Sequence, residues 1–223
     1  MHQITHEAQE HLLSTEQIVA FFLTKLKRFY ELNDIYSQEM VISVPSYFSN
    51  AERQAMLDAC QIAGIQCKRL INESTAIALQ YGFFRRSELD PLKERVVAFV
   101  DMGHSKTTVA LAQFTQGKLK ILGHKSDRNL GARDFDWELV KLISQEFAKK
   151  HGDDPAKNTR CVVRMLEACE KARKMLSSTP DAQISIDYLL NEEDLLRTIR
   201  KDEFEKLIEP YLSRFKDLLK RAL

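Results

Sequence analysis

The chain has little glycine: seven residues in 223, well short of ordinary usage near 7%. A protein built around a glycine-rich phosphate loop is expected to carry more. There is no surplus of charge of one sign either. Thirty-three Lys and Arg face 32 Asp and Glu, a formal net charge of +1, which argues against a polyanion binder with its basic excess or stripe. Long apolar runs are missing. The longest stretches, 18–23 and 96–100, fall far below the roughly 20 residues that span a bilayer. The opening Met1-His2-Gln3-Ile4-Thr5-His6 has neither a basic n-region nor an apolar h-region, so no signal peptide is expected. Cys60, Cys67, Cys161 and Cys169 form no Cys-x-x-Cys pair, and their spacings of seven and eight match no zinc pattern. Their apolar neighbours point to buried free thiols in a reducing, cytoplasmic compartment.

What is present is ordinary for a soluble globular protein: 44% hydrophobic and 29% charged residues in 25.8 kDa. That excludes collagen-like and disordered classes and leaves room for one large domain or two small ones. Ser14-Thr15-Glu16-Gln17 has capping-box spacing, and the apolar period after it predicts a helix over 15–32. The run 40–44, stopped by Pro45, suits a buried strand. A second box, Ser49-Asn50-Ala51-Glu52, opens a helix over 50–63 that Gly64 should end. A strand over 69–71 and a helix over 73–81, closed at Gly82, complete a strand–helix–strand–helix unit with parallel pairing. Residues 84–94 read as a charged linker. Strands over 96–101, 107–114 and 119–124, with tight links, have the signature of an antiparallel meander. Helices over 133–151 and 159–178, strands near 183–189 and 194–199, and a last amphipathic helix follow. Its apolar stripe runs over 204–222, and Pro210 inside it predicts a kink. The class is α/β.

Three constellations can carry chemistry. In Phe99-Val100-Asp101-Met102-Gly103-His104-Ser105-Lys106, a carboxylate at a strand end can hold hydrated Mg²⁺ while turn amides face a phosphate; equally, Asp101 can cap an ordinary hairpin. In Leu70-Ile71-Asn72-Glu73-Ser74, Glu73 can orient an attacking water or merely complement a helix dipole. Glu170, Arg173, Lys174 and Ser177 share one helix face. That face can stack a purine on a guanidinium, bond ribose hydroxyls through the carboxylate and offer a hydroxyl to the base. A solvated face with an intrahelical ion pair explains it as well.

The order of these motifs resembles a known family. Val41-Ile42-Ser43-Val44-Pro45-Ser46-Tyr47-Phe48, Asp58-Ala59-Cys60-Gln61-Ile62-Ala63-Gly64, Ile71-Asn72-Glu73-Ser74-Thr75-Ala76 and Leu130-Gly131-Ala132-Arg133-Asp134-Phe135-Asp136 closely resemble the seventy-kilodalton heat-shock chaperone family. Phe99-Val100-Asp101-Met102-Gly103-His104-Ser105 is similar to its large, hundred-and-ten-kilodalton branch, as are Gln3-Ile4-Thr5-His6-Glu7-Ala8-Gln9-Glu10 and Gly117-Lys118-Leu119-Lys120-Ile121-Leu122-Gly123. The resemblance runs through essentially the whole chain. It implies an actin-like ATPase (ribonuclease H-like) fold, two lobes clasping ATP or ADP with Mg²⁺. Asp101 matches the metal-facing aspartate, Gly103 and His104 the second phosphate turn, and Gly131 and Ala132 the pair that approaches the terminal phosphate. Glu170, Arg173, Lys174 and Ser177 match the adenosine-facing helix, with Arg and Lys standing where the family usually has Lys and Arg. Glu73 matches the catalytic-site glutamate, so Glu73 and Asp101 are the catalytic candidates.

Departures from the pattern limit what is expected. His104, Ser105 and Lys106 replace Gly, Gly and Thr, Ala132 replaces a glycine, and Ser74 replaces a proline. A Cβ restricts positive φ and close backbone approach, so inefficient hydrolysis is expected, at most a slow ATPase in the full-length protein. Neither the family's first phosphate loop nor its adenosine-binding glycine loop is found, and no peptide-binding domain. The expectation is therefore two incomplete lobes: 1–90 as the C-terminal part of lobe I, 91–129 as the first meander of lobe II, 130–205 as its helical and strand insertion, and 206–223 as the start of a return helix. The implied function is an ATP-binding nucleotide-exchange co-chaperone for conventional seventy-kilodalton chaperones, with ATP as a conformational clamp. Unfolded polypeptide would bind through a domain absent here, and the fragment alone would bind ATP weakly. It would self-associate through exposed strand edges or the 204–222 stripe. An ATP-hydrolysing conventional chaperone is the alternative, and a sugar kinase or filament protein of the same fold a second. Membrane and nucleic-acid partners are not expected.

Overall fold

The computed structural model describes residues 1–6, 9–33 and 39–223; Glu7 and Ala8 of the opening motif lie outside them. Two units emerge, Met1–Val97 with Ala112–Ile121, and Ala98–Leu111 with Leu122–Leu223.

In the first unit, β1 (His2–His6) and β2 (Gln9–Leu13) form an antiparallel hairpin with His2 opposite Leu13. Helix α1 (Thr15–Leu32) begins at the expected box. Ser14 N–H donates to Gln17 Oε1 at 2.8 Å and Gln17 N–H donates to Ser14 Oγ at 3.3 Å, so two amides that the helix cannot satisfy are satisfied reciprocally. Strand β3 (Glu39–Val44), helix α2 (Asn50–Ile62), strand β4 (Gln66–Asn72) and helix α3 (Glu73–Phe84) follow. Ser49 and Glu52 repeat the box at the start of α2. Gly64, at φ +66°, takes the left-handed turn that sends the chain back into β4. As the short links require, β3 and β4 run parallel, with Val44 opposite Asn72. A small core joins Ala20 and Leu23 of α1 to Ala59 and Cys60 of α2, with Ala63 and Ile65.

Gly82 does not end α3, which continues to Phe84. The glycine serves packing instead: a Cβ there would stand 3.0 Å from Cε1 of Phe114. The stretch expected as a linker is partly ordered. A 3-10 turn spans Arg86–Glu88, Leu89 is buried, and Asp90 Oδ1 accepts the N–H groups of Leu92 and Lys93 at 2.7 and 3.2 Å.

The expected meander is present as a sheet of β5 (Arg95–Met102), β6 (Thr107–Thr115) and β7 (Lys118–Asp127), in that order. Strand β7 runs three residues beyond the expected end at 124. In the second unit, α4 (Ala132–His151) and α5 (Thr159–Leu176) precede the antiparallel pair β8 (Asp181–Leu190) and β9 (Glu193–Arg200), then α6 (Lys201–Ala222). Ala182, Ile184 and Ile186 alternate inward on β8, the period-2 pattern of a strand with one covered face. They join Leu139, Ile143, Met165, Cys169, Ile199 and Phe204 in one core.

Helix α6 passes through Pro210 without a break. Its apolar stripe is not a free surface. Phe204, Ile208 and Leu218 are buried, and Leu207, Tyr211 and Leu212 pack on the same core. The expectation of association through 204–222 is overturned, because the unit's own core occupies that face.

Candidate functional site

Asp101 sits near the end of β5, half-buried, and among the described residues no side-chain hydrogen bond or ion pair engages its carboxylate. The strand then turns through Gly103, whose N–H donates to Lys106 O at 2.9 Å. This turn is held against the start of α4. Ala132 N–H donates to Gly103 O at 3.0 Å and Arg133 N–H to His104 O at 2.9 Å. Buried Thr107 donates its hydroxyl to Leu130 O at 2.7 Å. Gly131 lies so close that a Cβ would stand 2.4 Å from His104 O and 2.6 Å from Ser105 N. Its φ of −158° is extended backbone, so closeness and not conformation demands glycine. The two turns singled out in the sequence, Gly103-His104 and Gly131-Ala132, therefore form one assembly.

The same bonds use up amides. A helix N-terminus offers unpaired N–H groups to an anion, but here Gly131 N–H donates to Asp134 Oδ2 at 2.8 Å, and Ala132 and Arg133 donate to the hairpin. At this turn the amides of His104 and Ser105 are the ones no carbonyl of the described residues takes.

The α5 ridge stands near this turn: the charge of His104 is among those acting on Glu170. A hydrogen bond from Lys174, with help from the Lys174, Arg173 and His104 charges, holds the Glu170 carboxyl below its usual range. Lys174 Nζ lies 2.6 Å from Glu170 Oε1, the intrahelical ion pair that spacing alone allowed. Arg173 is not free. Its Nε donates to Asp136 Oδ1 at 2.7 Å and an Nη to Oδ2 at 3.3 Å, and Asp136 is only 3% exposed. Ser177 donates its hydroxyl to Lys174 O at 2.6 Å, closing the helix end.

Glu73 belongs to the other unit. It opens α3 next to Asn72, whose side chain caps nothing because its Oδ1 accepts from Arg53 at 2.7 Å. The Ser74 hydroxyl is 2.8 Å from that of Ser46. Where the family pattern has a proline, this chain ties the start of α3 to the turn after β3.

Sequence reasoning missed Asp136, Thr107 and Asp134. Asp136 lies 37 residues from its arginine, and no local pattern reports such a pair. Asp134, three residues after Gly131, was legible as a helix-start signal.

A parallel β–α–β unit, and an antiparallel meander whose first turn abuts a helix start, are parts of the actin-like ATPase fold. A family model described as "Hsp70 protein" matches residues 1–223. The chain is 38% identical over 227 residues to "Heat shock 70 kDa protein 4" of Rattus norvegicus, covering 99% of this chain and 27% of that protein. It is 37% identical over 224 residues to the "97 kDa heat shock protein" of Strongylocentrotus purpuratus, covering 99% and 25%. To "Heat shock 70 kDa protein 16" of Arabidopsis thaliana it is 39% identical over 202 residues, covering 90% and 26%. The chain belongs to the Hsp70 family. It spans about a quarter of the length of these curated relatives.

Proposed function

We propose that this chain contributes part of the ATP-binding region of a large, cytoplasmic heat-shock chaperone, one that uses ATP as a conformational clamp and acts on conventional seventy-kilodalton chaperones as a nucleotide-exchange partner. Lobe I material runs through residue 90, the meander to 129, the insertion to 205 and the return helix from there. What carries the reading is the seating of Gly131 on the His104–Ser105 peptide. It joins the two turns that the family resemblance assigns to phosphate and sets them beside the Glu170 ridge. No helix among the described residues is long and apolar enough to cross a membrane.

The residues fit Mg·ATP in part. Asp101 is one half-buried carboxylate with no side-chain partner among the described residues, which suits a cation that keeps most of its waters. Glu170 is ionised and faces outward, suited to ribose hydroxyls. Lys174 can turn toward a base, since an exposed i,i+4 pair is worth about 0.3–0.5 kcal/mol. Arg173, held in the plane of its guanidinium by Asp136, is fixed in place on the ridge. With the α4 amides donating inside the protein, the groups left to hold a phosphate would be the His104 and Ser105 amides, with Asp101 holding the cation. In the whole protein Glu73 would orient a water, but a loosely held phosphate makes for slow hydrolysis.

Titration calorimetry of this chain with Mg·ATP is expected to give an affinity weaker than micromolar, weakened further by Asp101→Asn and Glu170→Ala. A low-micromolar Kd would overturn the weak grip. No shift of melting temperature at saturating Mg·ATP would overturn the site itself, because a ligand that binds only the folded state must raise stability.

A further inference from the structure

The first unit contains a thiol pair that the nucleotide site does not use. Cys60 lies on α2 and is 1% exposed, while Cys67 lies on β4 and is half-buried. Both belong to one apolar cluster with Ala59, Ala63 and Ile65. The chain reverses at Gly64, with Ile65 N–H donating to Cys60 O at 2.9 Å, so β4 returns alongside the end of α2. The two side chains are near enough for Cys67 to act on the Cys60 thiol. Just past Cys67 the β3–β4 register shifts, between Met40 and Val41, so Lys68 has no register partner and the ladder is locally disrupted there. A metal is a poor occupant: two thiolates are half of a tetrahedral site, and no group of three or more candidate ligands occurs among the described residues.

We propose that Cys60 and Cys67 are a peroxide-sensitive pair that closes to an intramolecular disulfide linking α2 to β4. The partly exposed Cys67 reacts first. Its thiolate takes one oxygen from hydrogen peroxide and becomes a sulfenic acid, and the displaced hydroxide leaves as water. The Cys60 sulfur then attacks the Cys67 sulfur. The S–S bond forms, the S–O bond breaks, and the hydroxide leaves as water with the Cys60 proton. Two thiols are oxidised by two electrons and one peroxide is reduced to two waters. The order follows from burial, which, together with Cys67 beside it, pushes the Cys60 thiol up to about 11. A thiol so protonated is a poor initiator but a well-placed resolver. The chain holds its own controls. Cys161 is buried and donates to Leu189 O at 3.0 Å, and burial followed by the Asp136 charge pushes Cys169 up to about 12.

Cys60 and Cys67 fall on one tryptic peptide, 54–68, so mass spectrometry reads the product directly. The folded 223-residue chain is treated with hydrogen peroxide, then alkylated and digested. The expected result is peptide 54–68 lighter by two hydrogens, unalkylated and restored by dithiothreitol, with Cys161 and Cys169 still alkylated. In Cys60→Ala, Cys67 should stop at a sulfenic acid trapped by dimedone. The proposal is overturned if Cys67 gains oxygen while Cys60 stays alkylatable, if both stay reduced in excess peroxide, or if Cys67 bridges two chains on a non-reducing gel. Should Cys60→Ala not fold, the wild-type peptide alone decides.

Discussion

Gly131 shows how one residue type can be fixed by space alone. Its backbone is extended, so alanine is conformationally permitted, yet the added methyl would stand 2.4 Å from His104 O. Backbone cannot swing aside as a side-chain end can. Gly131→Ala is therefore expected to push α4 off the turn, lengthening the Ala132–Gly103 and Arg133–His104 bonds, at about 3 kcal/mol of stability. Urea unfolding measures it, and a loss below about 1 kcal/mol would mean that the turn yields. Such constraints divide cleanly in legibility. The glycine and Asp101 stood out because their neighbours match a family pattern. Why this glycine is needed did not, because the atoms that would meet its Cβ come from 26 and 27 positions earlier in the chain. Arg173 is the converse. Its place on a helix face was readable, but the Asp136 carboxylate that holds it was not, so it was assigned to a purine and is engaged within the protein.

At the scale of elements, α4 and α6 are joined by a polar contact inside an apolar seam. Tyr211 of α6 donates its hydroxyl to Glu138 of α4 at 2.7 Å, and Lys141 reaches the same carboxylate oxygen at 2.8 Å. Burial raises the Glu138 carboxyl, but these two bonds outweigh it and the net shift is downward. The bond to Glu138, then burial, pushes Tyr211 up to about 12. The signs oppose each other usefully. A lowered carboxyl contributes stability above its unfolded value, lost as pH falls through the folded one. A raised phenol contributes stability below its unfolded value near 10, lost as pH rises toward about 12. Tyr211→Phe should cost about 1.5 kcal/mol near neutrality and remove the part of the alkaline decline between about pH 10 and 12 that this phenol causes. Parallel declines in both proteins would refute the bond's role. Elements with local signals were the readable ones. Both serine boxes fell where the sequence placed them, because a cap is made by residues three apart. The β1–β2 hairpin gave no such signal. The end of α3 was misplaced because Gly82 has two meanings, helix stop and close packing, and only Phe114 decides between them.

For the whole molecule the two units differ in how well each closes its own surface. The second wraps helices and β8–β9 around a continuous core and takes even the α6 stripe into it. The first leaves much apolar surface outside: Val41, Leu79 and Phe83 are 61%, 48% and 65% exposed and line one shallow groove with Ile71 and Ala76. Its parallel sheet has two strands, so β3 and β4 each present an outer edge with no strand partner among the described residues. Exposed apolar grooves beside open strand edges are where chains pair. Chain association should therefore run through this unit and not through α6. Sedimentation velocity is expected to show species larger than the monomer that grow with concentration. Leu79→Ser with Phe83→Ser should suppress them, while Lys206→Glu, on the exposed side of α6, leaves them unchanged. A single monomeric boundary at high concentration would refute the association. Suppression by Lys206→Glu and not by the serine pair would place it on the wrong unit, and would mean that a half-open sheet in this fold is guarded by something other than a partner strand.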